Sequence, residues 1–190
     1  MPAVTVAAVL LAAGAGSRFG GGTHKLLAEL DGRPVLTHAL DAVLAAGFDE
    51  VIVVDGALDV SHLLPAGVHR VHNEAWADGQ AGSLLRAVEA AGERGHEAIV
   101  VGLGDQPRVP AAAWRRVAAS SGPIAVATYG GRRRNPVRLH RSVWPLLETV
   151  GDEGARTVMR AHPELVVEVP CEGDPLDVDT VADLERLRAP

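Results

Sequence analysis

The stretch that decides the fold is Val4-Thr5-Val6-Ala7-Ala8-Val9-Leu10-Leu11-Ala12-Ala13-Gly14-Ala15-Gly16-Ser17-Arg18-Phe19-Gly20-Gly21-Gly22-Thr23-His24-Lys25. Its first half is a short apolar run, β-branched at the start, over Val4–Leu11. Such a run with no polar face predicts a strand buried on both sides. Its second half holds five glycines within nine residues. Glycine accepts positive φ and lets a backbone approach a ligand closely. Consecutive N–H groups in such a turn form a nest for phosphate oxygens. Arg18 and Lys25 add full charges, the first suited to bidentate contact and the second to a point contact. A P-loop needs Lys directly after Gly and then Ser or Thr, but His24 precedes Lys25 and Leu26 follows it. The dinucleotide fingerprint needs a third glycine where Phe19 stands.

Working outward, apolar strands alternate with helical spacing. Helices are expected over Pro34–Ala46, Gln80–Arg94, Pro110–Ala119, Ser142–Leu147, Ala155–Ala161 and Val181–Leu187. Further strands are expected over Glu50–Val54, Gly67–Val71, Ala98–Leu103, Ile124–Thr128, Pro136–Leu139 and Leu165–Val169. This alternation predicts a three-layer α/β/α fold with a mostly parallel sheet, made mixed by an antiparallel pair around Gly130-Gly131. A chain of 190 residues with no repeat or long linker is expected to form one domain over 1–190.

Composition narrows the function. The 18 basic and 24 acidic residues give a net charge of −6, and aromatics make up 3%. That argues against nucleic acid and membrane surfaces as partners. Lysine occurs once, at Lys25, and Cys171 is the single cysteine, so no disulfide framework is expected within the chain. With no apolar run near the ~20 residues of a membrane span, and no positive residue before Val4–Ala13 to make it a signal peptide, a cytoplasmic location is expected.

Four other segments carry chemistry. Gly104-Asp105-Gln106-Pro107 follows the Ala98–Leu103 strand at the sheet edge where α/β proteins bind ligands. Asp105 there suits either Mg²⁺ or a backbone-bonded turn. Asp174, Asp177, Asp179 and Asp183 form an acidic group with no basic residue between Glu172 and Glu185. Asp177 and Asp179 share a side in extended chain, whereas Asp179 or Thr180 could equally cap the last helix. Asn73-Glu74-Ala75-Trp76-Ala77-Asp78-Gly79-Gln80-Ala81-Gly82-Ser83-Leu84 opens a helix with small and polar residues. Finally, Arg132, Arg133, Arg134, Arg138 and Arg141 form a basic cluster suited to an anionic acceptor.

Taken in order, these motifs resemble nucleotidyltransferases with a MobA-like NTP transferase domain, closest to the molybdenum cofactor cytidylyltransferase branch. The resemblance runs from Leu10 to Leu184. It implies that Leu11, Ala12, Ala13, Gly14, Ala15, Gly16, Arg18 and Lys25 wrap the triphosphate, with Gly79 and Ser83 as further nucleotide contacts. Arg18, Lys25 and Asp105 would be catalytic. Asp105, and Asp179 of an Asp-Val-Asp-Thr motif, would hold Mg²⁺ (or Mn²⁺), with Asp177 in reserve. Asn135, Pro136 and Arg156 would face the acceptor, although Arg134 replaces the family's usual glycine. The implied reaction is CMP transfer from CTP to the phosphate of molybdopterin or its molybdenum form. A molybdenum hydroxylase or its maturation factor is the expected partner. The alternatives are guanylyl or other nucleotidyl transfer to a sugar phosphate or phospholactate, and a delivery protein that binds the cofactor without turnover.

Overall fold

The computed structural model describes residues 5–20 and 22–188. The start of the first expected strand at Val4, and Gly21, lie outside them. Strand β1 (Val6–Ala12) is buried along nearly its whole length. Ala7, Val9 and Leu11 enter one core, and Ala8, Leu10 and Ala12 the other. This two-sided burial is why the run shows no polar alternation.

The order continues through a two-residue hairpin, β2 (Glu29–Leu30) and β3 (Arg33–Pro34), then α1 (Val35–Ala46), β4 (Glu50–Asp55), β5 (Val68–His72), α2 (Gln80–Glu93), β6 (Ala98–Leu103) and α3 (Ala111–Ala118). β7 (Ile124–Tyr129), β8 (Arg132–His140), α4 (Ala155–Ala161), β9 (Val166–Pro170) and α5 (Val181–Arg188) complete it. The main sheet has strand order β5-β4-β1-β6-β8-β7-β9. β8 alone of these seven runs opposite to its neighbours. α2 and α4 cover one face through Leu84, Ala87, Val88, Val158 and Met159. α1 and α3 cover the other through Leu36, Leu40, Val43, Trp114 and Val117. The architecture is the expected three-layer α/β/α arrangement about a mostly parallel, mixed sheet.

Local chemistry explains the differences from expectation. The β2–β3 hairpin turns on Asp31-Gly32, both at positive φ (51° and 78°), an Asp-Gly signal for a primed turn. Residues 141–146 form a 3₁₀ helix containing Pro145, which has no N–H for an α-helical bond. β8 begins four residues earlier than Pro136. Its register with β7 jumps from Val126↔Val137 to Ala127↔Arg134, so Asn135 and Pro136 form a bulge. The reversed β8 also divides the arginine cluster. Arg133 and Arg134 lie at the carboxyl end of β6, whereas Arg141 lies at the opposite edge. Arg138 is buried and donates to the Gly122 carbonyl at 2.7 Å. The expected single basic patch is therefore two separate groups.

A third, smaller core sits beyond the sheet edge. Phe19 of the glycine loop packs with Leu30, Val35, Val178, Leu184 and Leu187. The residue that breaks the dinucleotide fingerprint is thus the apolar anchor that ties the glycine loop to the C-terminal segment.

Candidate active site

At the carboxyl edge of β1 and β6 lies a cleft of about 640 Å³. Its walls include Leu11, Ala12, Ala13, Gly14, Ala15, Arg18, Lys25, Gly79, Ser83, Asp105, Arg156 and Asp179. Gly16 does not line it. It turns the loop from behind at φ 64°, and a Cβ there would meet Lys25 Cγ at 3.2 Å and His24 Nε2 at 3.3 Å.

Three distant segments converge on one point. Lys25 Nζ donates to Asp105 Oδ2 at 2.5 Å and to Asp179 Oδ1 at 2.9 Å. Arg18 approaches Asp179 Oδ2 at 3.2 Å. Lys25 and Asp105 are mostly buried, at 13% and 14% side-chain exposure, and Asp179 less so at 28%. Burial opposes the Lys25 charge, but Asp105 and Asp179 outweigh it and hold the amine's pKa above the ordinary lysine value.

The backbone explains the convergence. Val178 is fully buried in the third core, and its N–H donates to the Asp105 carbonyl at 2.9 Å. With Val178 inward, Asp177 and Asp179 face the cleft. The cap of α5 is Thr180, not Asp179. Thr180 Oγ1 accepts the Asp183 N–H at 3.2 Å, and Asp183 Oδ2 accepts the N–H groups of Thr180 and Asp179. The Asp179 carboxylate is thereby left for the cations. Asp177 takes a different partner: its Oδ1 accepts from Gln106 Nε2 at 2.7 Å. Burial, then the nearby Asp105 charge, push the Asp177 pKa up.

A divalent cation fits this pair. Asp105 Oδ1 is buried with no hydrogen-bond partner among the described residues. Carboxylate oxygens are the donors Mg²⁺ and Mn²⁺ prefer, with waters and phosphate oxygens completing the shell. Among the described residues no group of three or more His, Cys, Asp or Glu forms a self-sufficient metal cage. The two aspartates suit a cation that arrives with a ligand.

The remaining contacts sort clearly. Asn73 Nδ2 donates to Ser83 Oγ at 3.0 Å, both buried, so the Ser83 proton is available to the cleft. Gly79 stands at φ 109° at the head of α2, and a Cβ there would fall 2.5 Å from the Gly151 carbonyl oxygen. The Gly151 carbonyl also accepts the Ala81 N–H at 2.8 Å, so the 148–154 loop is strapped across the start of α2. A second cleft of about 430 Å³ adjoins the first, sharing Leu11, Gln80, Leu103, Arg156 and Asp177. Asn135 and Arg134 line it with apolar Val101, Val126, Val137 and Met159. Pro136 is buried and lines neither cleft. Sequence reasoning missed Trp76, Asp152 and Gln106 as wall residues, and His24 as a holder of the loop. The Asp-Gly-like local cues that mark turns do not mark such contacts.

Residues 8–166 match the family model for the MobA-like NTP transferase domain. The chain is 34% identical to nicotine blue oxidoreductase of Paenarthrobacter nicotinovorans, over 98% of this chain and 97% of that one. Rv0371c of Mycobacterium tuberculosis H37Rv superposes with a TM-score of 0.87 at 34% identity, covering 98% of both chains. A structure of that protein in complex with manganese superposes at 0.79 and 30% identity, covering 96% of this chain and 97% of that one. A nucleotidyl transferase from Methanothermobacter thermautotroptrophicus gives 0.85 at 29% identity, covering 98% and 97%. With the fold, the glycine loop and this likeness over its length in agreement, the chain belongs to the MobA-like NTP transferase domain family and so to the nucleotidyltransferase superfamily.

Proposed function

We propose that the protein transfers CMP from CTP to the phosphate of a molybdopterin-type acceptor, releasing pyrophosphate. The observation that carries the reading is the meeting of Lys25, Asp105, Asp179 and Arg18 at the mouth of the glycine loop. Phosphoryl chemistry asks a protein for alignment and charge neutralisation more than for a base. An acceptor phosphate oxygen would attack the α-phosphorus, and the bond to the bridging oxygen of the β-phosphate would break. Backbone N–H groups of the Ala13–Gly16 loop, with Arg18 and Lys25, would hold the departing β- and γ-phosphates. Asp105 and Asp179 would hold Mg²⁺ or Mn²⁺, which supplies charge neutralisation at the reacting phosphate. Arg156 borders both clefts, a position suited to an anion bridging them.

The test is pyrophosphate release with each nucleoside triphosphate and molybdopterin. CTP preference supports the proposal, and GTP preference moves the protein to guanylyl transfer. Turnover with only a sugar phosphate or phospholactate would replace the acceptor. Asp105→Asn should abolish release; cargo bound without turnover by wild type and variant alike would make the protein a carrier that delivers the cofactor.

A second reading is favoured by the full-length similarity to nicotine blue oxidoreductase. The larger cleft would then hold the electron donor, and the second cleft, with both apolar and charged walls, the electron acceptor. Oxidation of NADH or NADPH in the presence of nicotine blue, with no pyrophosphate formed from any triphosphate, would decide for it.

A further inference from the structure

The glycine loop has few bonds of its own. Within Gly14–Gly20 the only backbone bond among the described residues is Phe19 N–H to the Gly16 carbonyl, at 3.0 Å. Phe19 anchors the loop's far end, and the Ala13 carbonyl, accepting the Ala57 N–H at 3.0 Å, ties its near end, so the crest between them must be held by something else. His24 does this. Leu26 N–H donates to His24 Nδ1 at 3.2 Å, so Nδ1 is the acceptor and the ring proton sits on Nε2. Nε2–H in turn donates to the Gly14 carbonyl oxygen at 3.0 Å.

The same ring lies under Gly16, where a Cβ would come within 3.3 Å of Nε2. The His24 carbonyl accepts the N–H groups of Leu27 and Ala28 at 2.8 and 3.1 Å, which fixes the turn that presents Lys25. One residue therefore joins the crest of the loop to the turn bearing the lysine. Turning the Gly14 carbonyl back toward the ring keeps that oxygen away from incoming phosphates.

We propose that His24, as the neutral Nε2–H tautomer, is a positioning residue that holds the Gly14–Gly16 crest in its phosphate-accepting shape. This rests on reading the larger cleft as a triphosphate site. Burial and the neighbouring Lys25 charge keep His24 below the ordinary histidine pKa, against the opposing effect of its bond to Gly14. Lys25 is the charged neighbour in this turn, and its own partners are Asp105 and Asp179.

Two substitutions separate the ring's two bonds. The amide oxygen of His24→Asn stands where Nδ1 stood and can still accept from Leu26, but it cannot reach Gly14. The amide nitrogen of His24→Gln stands where Nε2 stood and can still donate to Gly14. Titration calorimetry with CTP and Mn²⁺ is paired with amide hydrogen exchange of residues 14–20 without nucleotide. His24→Asn should weaken CTP binding about tenfold and speed exchange in the loop, the loss of one hydrogen bond's worth of order. His24→Gln should restore most of both. Thermal unfolding checks that each variant folds. Unchanged affinity and exchange in His24→Asn would overturn the proposal, as would equal losses in both variants. If the wild type binds no triphosphate, the nucleotide reading fails; faster exchange in His24→Asn alone would still support the loop-holding role.

Discussion

Replacing Lys25 with methionine tests the electrostatic centre directly. The change removes the ammonium but keeps a flexible chain of similar volume. Removing one partner of a buried ion pair costs about 3–5 kcal/mol, because the other charge is left uncompensated. Here Arg18 still faces Asp179, whose side chain is 28% exposed, so about 2–3 kcal/mol is the reasoned loss. For a chain of this length each kcal/mol moves the melting temperature by about 2–4 °C. The variant should melt about 4–12 °C lower in chelator at pH 7–8, where wild-type Lys25 is fully charged because its pKa is raised. Manganese should act in the opposite sense. A ligand at a hundred times its Kd contributes about 2.7 kcal/mol. In the wild type the lysine competes for the same two carboxylates, and in Lys25→Met it does not. Calorimetric melting in chelator and then in stepped Mn²⁺ should show the larger metal-induced gain in the variant. A double Asp105→Asn, Asp179→Asn protein should show none. Equal manganese gains in wild type and Lys25→Met, or a gain that survives in the double variant, would refute the shared-carboxylate argument.

Other outcomes follow from the same geometry. Glu50 accepts from Arg94 Nε at 2.5 Å and His96 Nε2 at 2.9 Å. Burial pushes its carboxyl up, but these two bonds more than offset that and hold it below the ordinary value. A depressed carboxylate stabilises the fold above its unfolded pKa and loses that effect as pH falls through the folded one. Glu50→Gln should thus cost about 1–2 kcal/mol at pH 7 by urea unfolding, with the gap to wild type closing in acid below pH ~4. Gly79→Ala should cost about 1–3 kcal/mol and raise the KM for nucleotide, because its Cβ would drive the Gly151 strap off α2. Circular-dichroism melting and steady-state kinetics would check both. Burial raises the Cys171 thiol pKa, partly countered by Arg116. Since the thiolate is the nucleophile, iodoacetamide should alkylate Cys171 more slowly at pH 8 than a free cysteine, and mass spectrometry of intact protein would measure it.

The amino-acid sequence by itself determined the layered fold and most of the residues around the larger cleft. Unbroken apolar runs at β1, β4 and β6 specify strands buried on both faces, and 3.6-residue spacing specifies the covering helices. Glycine clustering likewise marked the loop, because few other residues allow positive φ. Tertiary structure alone decided which charges meet. Lys25 reaches partners 80 and 154 residues away, and that pairing depends on β1 lying beside β6 and on Val178 turning inward. The reversal of β8 separated arginines that are neighbours in the chain, and the Thr180 cap freed Asp179 while Gln106 engaged Asp177. Local periodicity reports which face of an element is apolar. It carries no information on which distant carboxylate a lysine will find once strand order and core packing have fixed the backbone.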